Sequence, residues 1–600
     1  GAEKLRGLKN DDQAYVIAPL ADRGLAVAAL TDRGVYHGVK TLAQMLEAGS
    51  DKESLTLPIV AVLDWPDLAE RGQWTFEERA PGDIQYMADR KMNLLEVRTP
   101  AGFDDKRRGT LDVNVASMAE ARRRAVNWLP FIAHLANQAY RTDIYTLYPE
   151  TQGRGPRARH ARVPNDASAD IVVPCASHPQ FIQVLAEWLM SAAEKGATEV
   201  NVFLSELEGM GCECEQCKGK SQFALEAKAC VKAWRIAQDK YPELRLRILL
   251  SQGSYDTNDQ VLAAVPETEV GITYYSGSSR GKIPGYASST YTASKDPMIY
   301  PLMMDFVNQG RWLGCYPSVT ATYRVATPWS GPQFMKFRMT EFVDKGLASV
   351  SGYIPPDKQF FDFNFTALAE WSWNAHGRTE HEFAAAWATR RGLADPDKAA
   401  DWAVMLGPVG WDVYGSNAPT FFLGRAAAMV ERRQKPQLGA GMFRYFPTVE
   451  HMDENLAVCQ QALDLAQQVG DPAVIAETRV IEGYVRMIKS IYLIADAVAG
   501  RKELDDAQTA SVQAAADALR SAAKQTTEAL RAWNRAVATD YDLGDPASGG
   551  AWRITMWPAT SRRPSPTSES PSRRWESAEN STGRRAWPDA EPCLGGPPVP

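Results

Sequence analysis

Six hundred residues are too many for one hydrophobic core, so roughly two to four domains are expected. The hydrophobic fraction of 45% and charged fraction of 23% are those of an ordinary globular chain, and a net charge of −7 is too weak a field to mark nucleic-acid or membrane-surface binding. No apolar run reaches the length of a membrane span, and the opening GAEKLRGLKNDDQAY lacks the charged and apolar regions of a signal peptide.

Residues 14–62 read as a small α/β module. YVIAPL and LAVAAL are short strands, Gly34–Gly38 is a turn into the helix VKTLAQMLEA, and LTLPIVAVLD is a third strand. From Glu70 the pattern becomes a strand–helix alternation, the signature of parallel βαβ units. The expected strands are 71–75, 93–99, 142–148, 199–207, 245–251, 269–276, 312–318 and 348–354. Helical patterns lie between them at 81–91, 117–138, 178–195, 220–240, 256–264, 297–309 and 331–345, with another at 365–376. Eight such pairs predict a (β/α)₈ barrel over 67–380. A doubly wound sheet is the alternative, but no Gly-rich phosphate turn follows Trp74. Residues 381–548 read as an α-helical bundle. The Pro-, Ser- and Arg-rich 549–600 cannot bury enough surface to fold and read as a disordered tail.

The fourth strand ends in Ser205-Glu206-Leu207-Glu208, and the carboxyl ends of barrel strands are where catalytic groups sit. Hydrolysis of a glycosidic bond needs a protonated carboxyl for the leaving oxygen and a second group at the oxocarbenium-like centre. Glu206 is read as the general acid, with Glu208 and Glu150 as candidates for the second role; a structural or surface glutamate is the bland alternative for each. Tyr274, Tyr275, Tyr316 and Tyr353 close later strands and could stack on sugar faces, each being as readily explained by core packing. Arg71 opens the first strand, where its guanidinium fork could hold adjacent sugar hydroxyls. Of the eight cysteines, Cys212, Cys214 and Cys217 are clustered, and Cys175 in the preceding loop is the fourth partner of a tetrahedral site. A structural zinc, reduced thiols and one disulfide are the states open to them. Catalysis itself calls for no cofactor.

GVYHGVKTLAQML, LPIVAVLDWPDLAERGQW and RKMNLLEV together resemble the junction of family 20 glycoside hydrolases, in which a small zincin-like α/β domain precedes a catalytic barrel. The matching residues are Gly34, Tyr36, Gly38, Thr41 and Leu42, then Asp64, Pro66, Arg71 and Gly72, then Lys91 and Asn93. The resemblance implies release of terminal N-acetylhexosamine from glycans, with Arg71 as a sugar-hydroxyl ligand and a secreted or periplasmic setting. It also implies an Asp-Glu pair closing the fourth strand, where this chain has Ser205-Glu206. A serine cannot stabilise positive charge on an acetamido nitrogen. VVPCASHPQ, GMGCECEQC and the later FNFTALAEWSWNAHGRTEHEF look like more distant relatives, endo-acting N-acetylglucosaminidases among them. The expectation is a retaining-type glycosidase of amino-sugar glycans. The alternatives are a glycosidase of uronic acids, for which Arg98, Arg280 and Arg311 are candidate ligands, and a non-catalytic carbohydrate-binding barrel.

Overall fold

The computed structural model describes residues 2–21, 24–48, 54, 56–161, 170–274, 283–287, 293–319, 327–353, 358–422 and 425–537. The expected tail therefore lies outside the described residues. In the N-terminal module β1 (Tyr15–Pro19) pairs antiparallel with β2 (Leu25–Ala29) on one side and β3 (Val62–Asp64) on the other. The helix α1 (Asp32–Ala48) packs on this sheet and absorbs the turn expected at Gly34–Gly38. Close approach explains it: a β-carbon on Gly34 would collide with Ala14 and Ala29, and one on Gly38 with Val27 and Tyr15. Among the described residues of the third expected strand, Val62–Asp64 is the paired part.

Eight parallel strands then close a barrel: β4 (Glu70–Phe76), β5 (Leu94–Arg98), β6 (Asn127–Ile132), β7 (Glu199–Phe203), β8 (Arg245–Leu250), β9 (Gly271–Tyr274), β10 (Leu313–Cys315) and β11 (Ser349–Gly352). β11 pairs with β4 in register Val350 to Arg71, which seals the ring. Around it run α2 (Ala80–Asp89), α3 (Val115–Arg123), α4 (Pro179–Glu194), α5 (Gln222–Gln238), α6 (Asn258–Ala263), α7 (Pro301–Asn308), α8 (Pro332–Asp344) and α9 (Asp362–Trp373).

One strand differs from expectation. Residues 142–148 are helical turns, and the third strand is β6, inside the run read as helix 117–138. Pro130 at its centre would break a helix, because it has no N–H and its ring clashes with the preceding turn. Accordingly α3 stops at Arg123, and Ala125 turns the chain at φ 58°.

Strand alternation sends Leu95, Val97, Val200, Val202, Ile248 and Ile272 outward to the helices. The inward set begins with charge. Arg247, 1% exposed, reaches Glu70 at 2.6 Å, Glu199 at 2.7 Å and Glu96 at 3.9 Å, and its guanidinium lies 4.4 Å over Trp312. Above this lies an apolar layer of Phe131, Phe203, Leu249, Tyr316 and Trp74. The charged cluster fills the amino-terminal half of the barrel, and the aromatic layer floors its carboxyl face.

Past the barrel come α10 (Glu380–Arg390), α11 (Pro396–Gly415), α12 (Val449–Val469), α13 (Pro472–Val498) and α14 (Asp506–Val537), packed chiefly on one another. They meet α8 and α9 directly, and a further joint is the stretch 327–331 ahead of α8. Trp329 lies against Gly410 of α11, where a β-carbon would collide with its indole, and Ser330 donates its backbone N–H (2.5 Å) and its hydroxyl (3.2 Å) to Glu477 of α13. Among the described residues no helix is long and apolar enough to cross a membrane.

Candidate active site at the carboxyl face

Glu206 stands three residues past β7, at the carboxyl end of the barrel, with its side chain 28% exposed. Its Oε2 lies 3.5 Å from Nε2 of His134, and the His134 ring sits 4.1 Å from Phe203. His134 holds a positive φ of 37°, a backbone state that costs a non-glycine residue on the order of 1–3 kcal/mol. Local bonds impose it: Asn137 donates its N–H to the His134 carbonyl at 2.8 Å, and the Gln138 side chain donates to the Ala133 carbonyl at 2.8 Å.

The loop holding Glu206 is fixed on its other side by backbone. A β-carbon at Gly253, just after β8, would strike the Glu206 carbonyl and the Glu208 N–H. Glu208 lies in this same loop and is partly buried. An aromatic wall completes the floor and side. Trp74 is stacked on Tyr353 (5.9 Å, 23°) and meets Phe131 edge-on at 6.2 Å. Arg98 ends β5 on the inward face shared with Glu96, and its guanidinium lies 5.7 Å over Phe76. Glu77 directly follows β4; burial, then Asp112 and Glu78, push its carboxyl above the usual range.

The other expected site residues divide. Tyr353 belongs to the wall. Tyr316 lies beneath it, 3% exposed, donating its hydroxyl to Glu96 and accepting from Asn201 at 2.9 Å, so it forms floor rather than a ligand. Tyr274 faces outward, fully buried against Tyr300 at 5.7 Å, because the alternation that places Thr273 inside places Tyr274 outside. Tyr275 and Arg280 lie outside the described residues. Glu150 follows no strand: it is exposed in the turn 149–151, a consequence of the displaced third strand. Arg311 precedes β10 at the opposite end, donating to the carbonyls of Val265 and Glu267.

Arg71 is the largest correction. It lies at the amino end of β4, 1% exposed, on the outward face, and the sugar-ligand expectation fails there. Its guanidinium donates to Gln13 Oε1 (2.9 Å) and to the carbonyls of Leu68 (2.6 Å) and Lys91 (2.8 Å), and lies 4.9 Å over Trp373. Asn93 donates to the same Gln13 oxygen at 3.0 Å. Lys91 donates to the Tyr15 hydroxyl at 2.7 Å and pairs with Asp64, which accepts from the Trp373 indole at 2.7 Å. The residues that carried the family resemblance thus bolt the N-terminal module to the bottom of the barrel.

Ser205, which the resemblance sets where family 20 has an aspartate, turns toward α5. Its hydroxyl donates to Glu226 Oε1 at 2.6 Å and its N–H to Oε2 at 2.8 Å, both from buried positions. Sequence reading missed His134 and Trp74. His134 was hidden by the misplaced strand, and Pro130, four residues upstream, was the signal that would have found it. The four cysteines of 175, 212, 214 and 217 do converge, their sulfurs all within 4.8 Å of one another and unbridged. Cys230 is a buried residue of α5.

Residues 3–65 match the family model of glycosyl hydrolase family 20, domain 2. Comparison with curated proteins gives no match. Among solved structures the chain is similar to a GH138 enzyme targeting pectin rhamnogalacturonan II, at 12% identity over 88% of this chain and 68% of that one, with a TM-score of 0.60. It is also similar to a family GH115 4-O-methyl-alpha-glucuronidase with specificity for decorated arabinogalactans, at 13% identity over 94% of this chain and 74% of that one, with a TM-score of 0.51. At these identities the likeness is one of fold. The chain therefore joins a module like domain 2 of glycosyl hydrolase family 20 to a barrel of the fold that glycoside hydrolases use.

Proposed function

We propose that the protein is a glycoside hydrolase whose general acid is Glu206 and whose substrate is a glycan carrying an acidic sugar. The observation that carries the reading is the Glu206–His134 contact at 3.5 Å, on the carboxyl face beside a wall of Trp74 and Tyr353. Glu206 gives its proton to the leaving oxygen, and His134 orients the carboxyl. Glu208, in the same loop, is the carboxylate assigned to the second role, as nucleophile or as base for water. The aromatic wall offers a sugar face an apolar surface.

Two observations favour an acidic sugar over N-acetylhexosamine. Arg98 brings a guanidinium to the inward rim, where it can take a carboxylate bidentately. Ser205 is committed to Glu226, which leaves the acetamido group of a hexosamine without the partner that substrate assistance needs. The glucuronidase named among the similar structures agrees with this choice. The N-acetylhexosaminidase reading stands second, favoured by the match over residues 3–65.

Nitrophenyl glucuronides, galacturonides and N-acetylhexosaminides, in both anomeric forms, together with pectic and arabinogalactan oligosaccharides, form the test panel. Turnover of a uronide is expected, with Glu206→Gln about 10²–10⁴-fold slower in kcat and unchanged in sugar binding. Full activity in Glu206→Gln would remove it as the acid. Turnover confined to hexosaminides would install the second reading.

A further inference from the structure

We propose that Cys175, Cys212, Cys214 and Cys217 bind one structural zinc ion that pins the third and fourth loops of the carboxyl face together. A tetrahedral zinc with bonds of about 2.3 Å to sulfur spaces its thiolates about 3.8 Å apart. The Cys175 sulfur lies 3.6 Å from that of Cys214 and 3.9 Å from that of Cys217, and all four fall within 4.8 Å. A disulfide would need a separation of about 2.0 Å, so these thiols are grouped around a centre rather than paired.

The surroundings are those of a metal knuckle. Cys217 and Lys218 both donate backbone N–H to the Cys214 carbonyl, at 3.0 and 2.9 Å, folding the Cys214–Cys217 turn. The Arg154 N–H approaches the Cys212 sulfur at 3.4 Å, as the outer donors around metal-bound thiolates do, and the Cys217 thiol donates to the Ser177 hydroxyl at 3.3 Å, a contact the hydroxyl can return once the thiolate forms. Cys175, Cys212 and Cys217 are nearly buried, at 5, 4 and 1% exposure, and Cys214 is partly exposed, so the centre lies just under the surface with one ligand at its rim. Four soft ligands close the coordination sphere, which leaves no position for a substrate or a reactive water. Binding displaces the thiol protons to solvent.

A buried relay leads from this knuckle to the acid. The Cys212 N–H donates to Gln222 Oε1 at 3.0 Å, and the Gln222 amide donates to Glu226 Oε1 at 2.8 Å and to the Pro174 carbonyl, next to Cys175, at 3.0 Å. Glu226 in turn holds Ser205, the neighbour of Glu206. The zinc thereby positions the catalytic loop without touching substrate. This second half rests on Glu206 being the acid; the metal assignment does not.

Elemental analysis of the full chain, purified without chelator under reducing conditions, is expected to find one zinc per chain. Cobalt exchanged into the site should give intense tetrahedral visible bands and a sulfur-to-cobalt charge-transfer band. Cys214→Ala should fall below about a tenth of the wild-type zinc content, and Cys214→His should retain it, since imidazole serves in tetrahedral zinc sites. After zinc removal, kcat on the substrate found above should drop with KM little changed, and added zinc should restore it. Protein free of zinc both as purified and after incubation with zinc, iron in stoichiometric amount, or octahedral cobalt bands would each overturn the assignment. Zinc without any glycoside turnover would keep the metal site and sink the glycosidase reading. Turnover that survives zinc removal unchanged would sink the positioning role.

Discussion

At the scale of single residues, the place of a guanidinium in the barrel decides what it does. Arg71 reads as a sugar ligand, yet burial and four carbonyl-type acceptors make it a fastener. Arg71→Ala should destabilise the protein by about 2–4 kcal/mol, because buried acceptors lose their donor. Denaturant unfolding measures this, and the folded fraction should keep its kcat/KM; a selective rise in KM would return Arg71 to the substrate. Gly253→Ala should act the other way round. Its methyl would push against the Glu206–Glu208 backbone, so kcat should fall about tenfold or more for a modest loss of stability, and steady-state kinetics beside a melting curve separate the two.

At the scale of elements, seven of the eight barrel strands are legible from apolar runs bounded by turns, since a strand buried on both faces leaves an unmixed signature. β6 is not legible by periodicity, because NWLPFIAH follows a helix without a glycine and shares its hydrophobicity. The Gly34–Gly38 turn misleads for another reason: glycine there serves close helix–sheet packing, which leaves no local mark. Inward and outward orientation is equally invisible without register, and this is what divides Tyr353 from Tyr274. The docking of α13 on the barrel carries its own test. Burial pushes the Glu477 carboxyl up to about 7 despite the bonds from Ser330. The folded state therefore holds that proton more tightly than the unfolded state, and stability is lost as pH rises from the ordinary carboxyl range to about 7, levelling off above it. Glu477→Gln keeps an acceptor for the Ser330 N–H and cannot ionise. It should be more stable than wild type at pH 8, on the order of 3 kcal/mol, with the gap closing toward pH 5. A gap independent of pH in urea titrations would refute it. Glu96, pushed by burial to about 7, gives the parent protein a slope of the same sign.

At the scale of the whole molecule, the acidic tip of the fourth strand and the cysteine cluster were legible from type and spacing. His134 and the aromatic wall were not, since they arise only when the ring of strands closes. The N-terminal module and the barrel share Gln13, Asp64, Arg71, Lys91, Asn93 and Trp373 at their joint. They should therefore unfold together: a fluorophore on α1 and the tryptophan signal of the barrel should report one coincident transition, and Gln13→Ala should shift both. Two separated transitions would mean that the joint is only a contact. Because the joint consumes the Asp-x-Pro and Arg-Gly signature, that signature certifies a chassis and is silent about cargo. A search for proteins sharing this chain's substrate should compare the tips of the strands and disregard their roots.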